Sequence, residues 1–185
     1  MVDFLITRRE YFAEWSAEEL EGRSSARLVA KPLRTYAQQE DSEREPSVFT
    51  VYQTRDRQRH AHRETLPEGL YQCYLADIQD PGYTPLTEVK RIFIGEKRPV
   101  TTERSVLRPG QEAVRLIVRS PLALKAGECG LDYSLPEPVP LPETKLEESS
   151  HVIRCIIPRF RPELGIRLWL APELRELLQQ DEGRL

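Results

Sequence analysis

At 185 residues the chain is the size of one domain, and a single domain over 1–185 is the expectation. Its formal net charge, 27 − 30 = −3, excludes a histone-like polycation, while 39% apolar and 31% charged residues are lean for a globular domain yet too apolar for a disordered chain. No apolar run is long enough for a membrane span, Arg8 comes too early for a signal peptide, and three cysteines, an odd number, point to a reducing, cytoplasmic setting.

Residues 7–21 read as an N-terminal helix. Thr7 and Glu10 have the spacing of a capping box, and Ile6 with Tyr11 fits a hydrophobic staple. Tyr11, Phe12 and Trp15 then share one helical face, with Gly22 placed to end the helix. Ser16 and Glu19 form a second box that could split it in two.

Residues 26–135 read as a β-rich body. Leu28 to Ala37 is a strand that Pro32 demotes to an edge or a bulge. After a polar loop at 38–47, Val48 to Gln53 is a β-branched and aromatic strand. Leu70 to Ile78 alternates and ends at the turn Asp80-Pro81-Gly82. Val89 to Ile94 is a short strand closed by Gly95. Ala113 to Arg119 alternates most clearly, with Val114, Leu116 and Val118 on one face and Arg115, Ile117 and Arg119 on the other. Leu122 to Leu124 and Leu131 to Leu135 follow, separated by the turn Gly127–Gly130.

Residues 136–150 are a Pro/Glu-rich linker, extended and stiff because prolines recur at every second position. Within 151–185, Val152 to Ile157 is the most apolar strand and hence the expected central one. Ile166 to Leu170 is the last strand, and Pro172 opens a C-terminal helix striped by Leu174, Leu177 and Leu178. About eight strands bracketed by two helices, with no long helix between strands, predict a mainly β (α+β) fold. An antiparallel barrel or sandwich fits best, and a doubly wound fold is excluded.

Catalytic and cofactor motifs do not assemble. There is no phosphate-binding glycine loop, CxxC, HExxH or GxSxG motif, and no cofactor is expected. His60 and His62 could share one strand face, but the surrounding arginines oppose a dication, so no metal site is assigned. Cys73 and Cys155 sit in apolar strands; Cys129 is the likeliest exposed thiol, with Glu128 beside it working against activation. Asp77 is the one acid inside an apolar run.

The cations carry the strongest signal. Arg outnumbers Lys by 22 to 5, and the charge is segregated: 1–22 carry net −4, 90–119 net +5 and 154–167 net +3. Arg91, Arg115, Arg119 and Arg154 all stand on expected strands, and if those strands were neighbours they would form a basic patch with an apolar floor. The expectation is therefore a non-enzymatic interaction or assembly-accessory module that binds an anionic partner, chiefly an acidic protein surface. Nucleic acid is a weaker candidate and a second copy of the chain a further one. The alternative is a lipocalin-like barrel that carries a small apolar or carboxylate-bearing ligand.

Overall fold

The computed structural model describes residues 1–37, 45–53, 60–61, 64–106, 113–125, 127–133, 150–157 and 166–179. Apart from Ser150, the linker expected at 136–150 lies outside them. The protein is mainly β, and its contacts gather into two compact units, Met1–Glu96 and Lys97–Leu185.

The first unit contains β1 (Asp3–Ile6), β2 (Glu10–Glu14), β3 (Ser25–Thr35), β4 (Ser47–Tyr52), β5 (His60–Ala61), β6 (Gly69–Ala76) and β7 (Lys90–Ile94). They form a three-stranded sheet, β1-β2-β5, and a four-stranded sheet, β4-β3-β6-β7, antiparallel throughout. Ala13 and Trp15 from the β2 region bury themselves with Leu28 of β3, Val51 of β4 and Leu75 of β6. Ile6 joins a second cluster with Ala30, Tyr71, Cys73 and Ile94. The Tyr11 and Phe49 rings, stacked with centroids 4.5 Å apart, pack against both clusters.

The N-terminal helix expected at 7–21 is not formed; a hairpin and a single turn take its place. The Thr7 hydroxyl accepts the N–H groups of Arg9 and Glu10 at 3.3 and 2.9 Å, as a helix cap would. The same local bonds equally close a turn between two strands, and the backbone bond from Thr7 N–H to Glu10 C=O at 2.7 Å selects the turn. Asp3 to Ile6 then supply a partner strand, with Ile6 opposite Tyr11 and Leu5 opposite Phe12. The second capping box does form: Ser16 N–H donates to Glu19 Oε2 at 2.7 Å and Glu19 N–H to Ser16 Oγ at 3.4 Å. It caps only one turn, closed by Gly22 N–H donating to Ala17 C=O at 2.7 Å, with Gly22 at φ +77°. The Trp15 indole N–H donates to Arg23 C=O at 3.1 Å and ties this turn to the core.

Pro32 marks a bulge, not an edge strand. β3 lies between β4 and β6, and its register with β6 shifts between Pro32 and Arg34. The last residue of β3 paired to β4 is Ala30, so the proline falls where β3 has lost that partner. Gly69 begins β6 under a steric constraint: a Cβ there would lie 2.3 Å from the Arg34 carbonyl oxygen.

The second unit contains β8 (Arg98–Pro99), β9 (Thr101–Val106), β10 (Val114–Leu124), β11 (Cys129–Tyr133), β12 (Ser150–Ile157), β13 (Ile166–Leu170), α1 (Pro172–Leu177) and β14 (Leu178–Gln179). Antiparallel strands in the order β12-β10-β9 make its largest sheet, β11 pairs with β13, and β14 pairs in parallel with β8. β10 is longer than expected because it takes in Leu122–Leu124. It is also the central strand, whereas β12, expected to be central, is an edge of this sheet among the described residues.

Two further expectations are corrected. The described strands form separate sheets of two to four strands and no closed barrel, since closure requires the two edge strands of one sheet to pair with each other. The C-terminal helix from Pro172 is a single six-residue element. Leu174, Leu177 and Leu178 are all buried as the leucine stripe required, but Leu178 leaves the helix for the parallel pairing with Arg98.

Trp15→Ala is expected to cost about 3–5 kcal/mol, because it empties a core position and orphans the Arg23 carbonyl. Urea unfolding followed by far-ultraviolet circular dichroism measures this; a change within about 0.5 kcal/mol, as for a surface position, would contradict the packing.

Candidate functional site

β10 sets the geometry. Val114, Leu116, Val118, Ser120, Leu122 and Leu124 are buried, while Arg115 and Arg119 between them are exposed and Ile117 is half-buried. Directly opposed residues of an antiparallel pair share a face. On the outward side Arg115, Ile117 and Arg119 therefore stand opposite Ile156, Arg154 and Val152 of β12. On the other flank they stand opposite Ser105, Glu103 and Thr101 of β9.

Arg154 thus sits beside Ile117, diagonal to both Arg115 and Arg119, at about 7–8 Å from each by sheet geometry. Arg115 and Arg119 are four residues apart on one strand, about 13 Å. Three of the four arginines singled out in the sequence are brought onto one face. Arg91 is not: it stands on β7, opposite Gln72, in the sheet of the first unit.

The arginines are unequally satisfied. Arg119 Nη2 lies 3.7 Å from Glu103 Oε2, with both side chains about half exposed or more, a contact of small worth in water. Among the described residues neither Arg115 nor Arg154 has a carboxylate partner. Repulsion between hydrated charges about 8 Å apart is only about 0.5 kcal/mol per pair, so the fold tolerates the cluster without a counter-ion. Ile156 lies beside Arg115 and is 58% exposed, unusually open for isoleucine in a strand. The face therefore combines cations with aliphatic surface.

Two residues of this face, Glu103 and Ile156, carry no local sequence signal of their place. Glu103 lies on β9, whose stretch Thr-Thr-Glu-Arg-Ser-Val holds one aliphatic residue and so lacks the alternation that marks a strand. Ile156 lies in the apolar run Val152–Ile157, where nothing local marks it as exposed. The paired β-branched residues Thr101 and Thr102, just ahead of the Arg108-Pro109-Gly110 turn signal, were the available clue to β9.

Beyond Arg119, β10 departs from its register with β12. Arg119 pairs with Val152 and Leu124 with Ser150, so five steps of β10 span two of β12. Leu122 N–H donates to Ser120 Oγ at 3.1 Å inside this irregularity. The His151 Nδ1–H donates to Ser120 C=O at 3.1 Å, since a carbonyl can only accept. His151 thereby serves the backbone. His62 lies outside the described residues; only the backbone of His60 is described, opposite Tyr11.

Among the described residues two thiols and two carboxyls have shifted proton affinities. Burial pushes the Cys73 thiol up to about 12. Burial, then the neighbouring Glu128 carboxylate, raises that of Cys129, which opposes thiolate formation. Cys155 is placed by its backbone alone, opposite Leu116. Asp77 follows β6 directly; its Oδ1 accepts Gln79 N–H at 2.8 Å and its Oδ2 accepts Arg23 Nε–H at 3.0 Å. The Gln79 amide, then Arg23, holds its carboxyl below the ordinary aspartate range. Asp80 is lowered likewise by Thr84, whose N–H donates at 2.7 Å, and by Gly82, whose N–H donates at 2.8 Å.

No protein-family model, curated protein or solved structure matches the chain. Among the described residues, no helix is long and apolar enough to cross a membrane, and no cluster of His, Cys, Asp and Glu could hold a metal ion.

A depressed carboxyl contributes stability that is present above its unfolded value, about 3.9, and is lost as pH falls through the lower folded value. Asp77→Asn should therefore destabilise the protein at neutral pH, and the gap from wild type should narrow as pH falls below about 4. Urea midpoints at a series of pH values read this; a gap that stays constant would show that the charge of Asp77 contributes nothing.

Proposed function

We propose that this protein is a non-enzymatic binding module of the cytoplasm. Its working surface is the outward face of the β12-β10-β9 sheet, and its partner is an acidic protein surface. The observation that carries this reading is the state of Arg115 and Arg154: exposed, without a carboxylate partner among the described residues, and flanking the open side chain of Ile156.

Guanidinium groups bind carboxylates by forked hydrogen bonds and lie flat on aliphatic surface, so arginine suits a face of this mixed character better than lysine. Glu103 is the face's own competitor, because it occupies Arg119. A partner carboxylate must displace it, and the weakness of an exposed 3.7 Å pair makes that displacement inexpensive. The carrier-barrel reading has no specific support, as the described strands close no barrel.

Poly-L-glutamate is a suitable probe. Arg115→Gln combined with Arg119→Gln should weaken its binding at least tenfold, about 1.4 kcal/mol, while the melting temperature stays within a few degrees of wild type. Glu103→Gln should tighten binding a few-fold. Wild-type binding should also fall between low and moderate salt. Titration by isothermal calorimetry at both salts tests this. Unchanged affinity in the folded double variant would overturn the proposal; instability of that variant with unchanged affinity would mean that the arginines serve the fold.

A further inference from the structure

We propose that the acidic partner docks as an extended segment with two carboxylates four positions apart and one apolar side chain midway between them. This rests on the reading of the arginine face as an anion-binding surface and specifies what that surface selects.

The face has its own period. Along β10 the outward positions run cation, aliphatic, cation, as Arg115, Ile117 and Arg119. An extended segment laid along β10 rises about 3.3 Å per residue, as the strand does, and turns alternate side chains to the same side. The pattern acid–x–apolar–x–acid therefore places one carboxylate over each arginine and the apolar group over Ile117, with no adjustment along the segment. A helical partner rises only about 1.5 Å per residue and would have to span roughly nine residues to cover the same 13 Å or so.

Arg154 strengthens the match, since it is directly opposite Ile117 and diagonal to both other arginines. From there its guanidinium can reach either carboxylate. Ile156, beside Arg115, extends the apolar floor on the same flank. The mixed surface also separates polypeptide from nucleic acid. The described face carries no aromatic side chain on which a base could stack, and a phosphodiester backbone gains nothing from the aliphatic residues. An acidic-hydrophobic peptide uses both components.

The test is fluorescence anisotropy with the full-length protein and three labelled probes. One is a Thr-rich synthetic peptide with Glu and Glu four positions apart and Val midway. The second is its isomer, with the two Glu adjacent and Val at one end. The third is a single-stranded oligothymidylate. The matched peptide should bind about tenfold more tightly than its isomer, and Arg115→Gln with Arg119→Gln should abolish that preference. Arg154→Gln should weaken the matched peptide alone by a few-fold, and it supplies the readout if the double variant does not fold. Equal binding of the two peptides, with both lost in the arginine variants, would overturn the spacing rule and leave the anion-binding face standing. If neither the peptides nor poly-L-glutamate binds, both fall. Tighter binding of the oligothymidylate than of the matched peptide would overturn the polypeptide partner in favour of nucleic acid.

Discussion

The two-residue alternation of β10, held in register against β12, is the constraint on which the second unit depends. With Ile117 opposite Arg154, each alternate β10 side chain from Val114 to Leu124 is buried, and the arginines of both strands are turned outward together. A slip of one residue would bring Arg154 to the side of Leu116 and Val118. An unpaired guanidinium there would cost on the order of several kcal/mol, so the register is strongly enforced. The cationic face is thus a direct counterpart of the core: the same register that buries Ile153 and Ile157 exposes Arg154 and Ile156. Burial and charge placement are one decision in this sheet.

The first unit is organised by the same alternation toward a different end. Its hairpin places Tyr11, Ala13 and Trp15 over the four-stranded sheet, and its charges are used locally. Arg23 engages Asp77 and Glu21, Arg8 engages Glu68 at 3.2 Å, and Arg27 lies over the Tyr83 ring at 5.4 Å. These arginines are absorbed into the fold, in contrast to Arg115 and Arg154. The difference lies in what the neighbouring strands bring. Turns bring Glu21 and Asp77 to Arg23 and Asp80 within electrostatic reach of Arg27, whereas among the described residues the flanks of β10 offer one carboxylate, Glu103, on the outward side.

Strand identity was legible wherever side chains alternate, as in Ala113–Arg119, and so was the burial of the leucines after Pro172. The failures have specific causes. Tyr11 and Trp15 are four residues apart, a spacing that suits a helical turn and two strand repeats alike, and the Thr7–Glu10 bonds are common to caps and turns. What decided between them was pairing with Asp3–Ile6, a tertiary fact. The arginine face was legible strand by strand, because Arg115 and Arg119 fall on one parity of a clear pattern. Sheet membership was not. Nothing in the local sequence says that Arg154 lies beside Ile117 while Arg91 lies in another sheet, since register between distant strands is set by how their buried faces fit.

The register of β10 on β12 is therefore what most needs measuring, and disulfide trapping measures it. Directly opposed residues have Cα atoms about 4.5–5.5 Å apart, within the span a disulfide accepts. Oxidation of Ile117→Cys combined with Arg154→Cys, mapped by proteolysis and mass spectrometry, should yield a link between positions 117 and 154. Ile117→Cys alone should not link to the native Cys155. A link between position 117 and Cys155 in the single variant, with none to position 154 in the double, would show a register displaced by one residue and would remove Arg154 from the face.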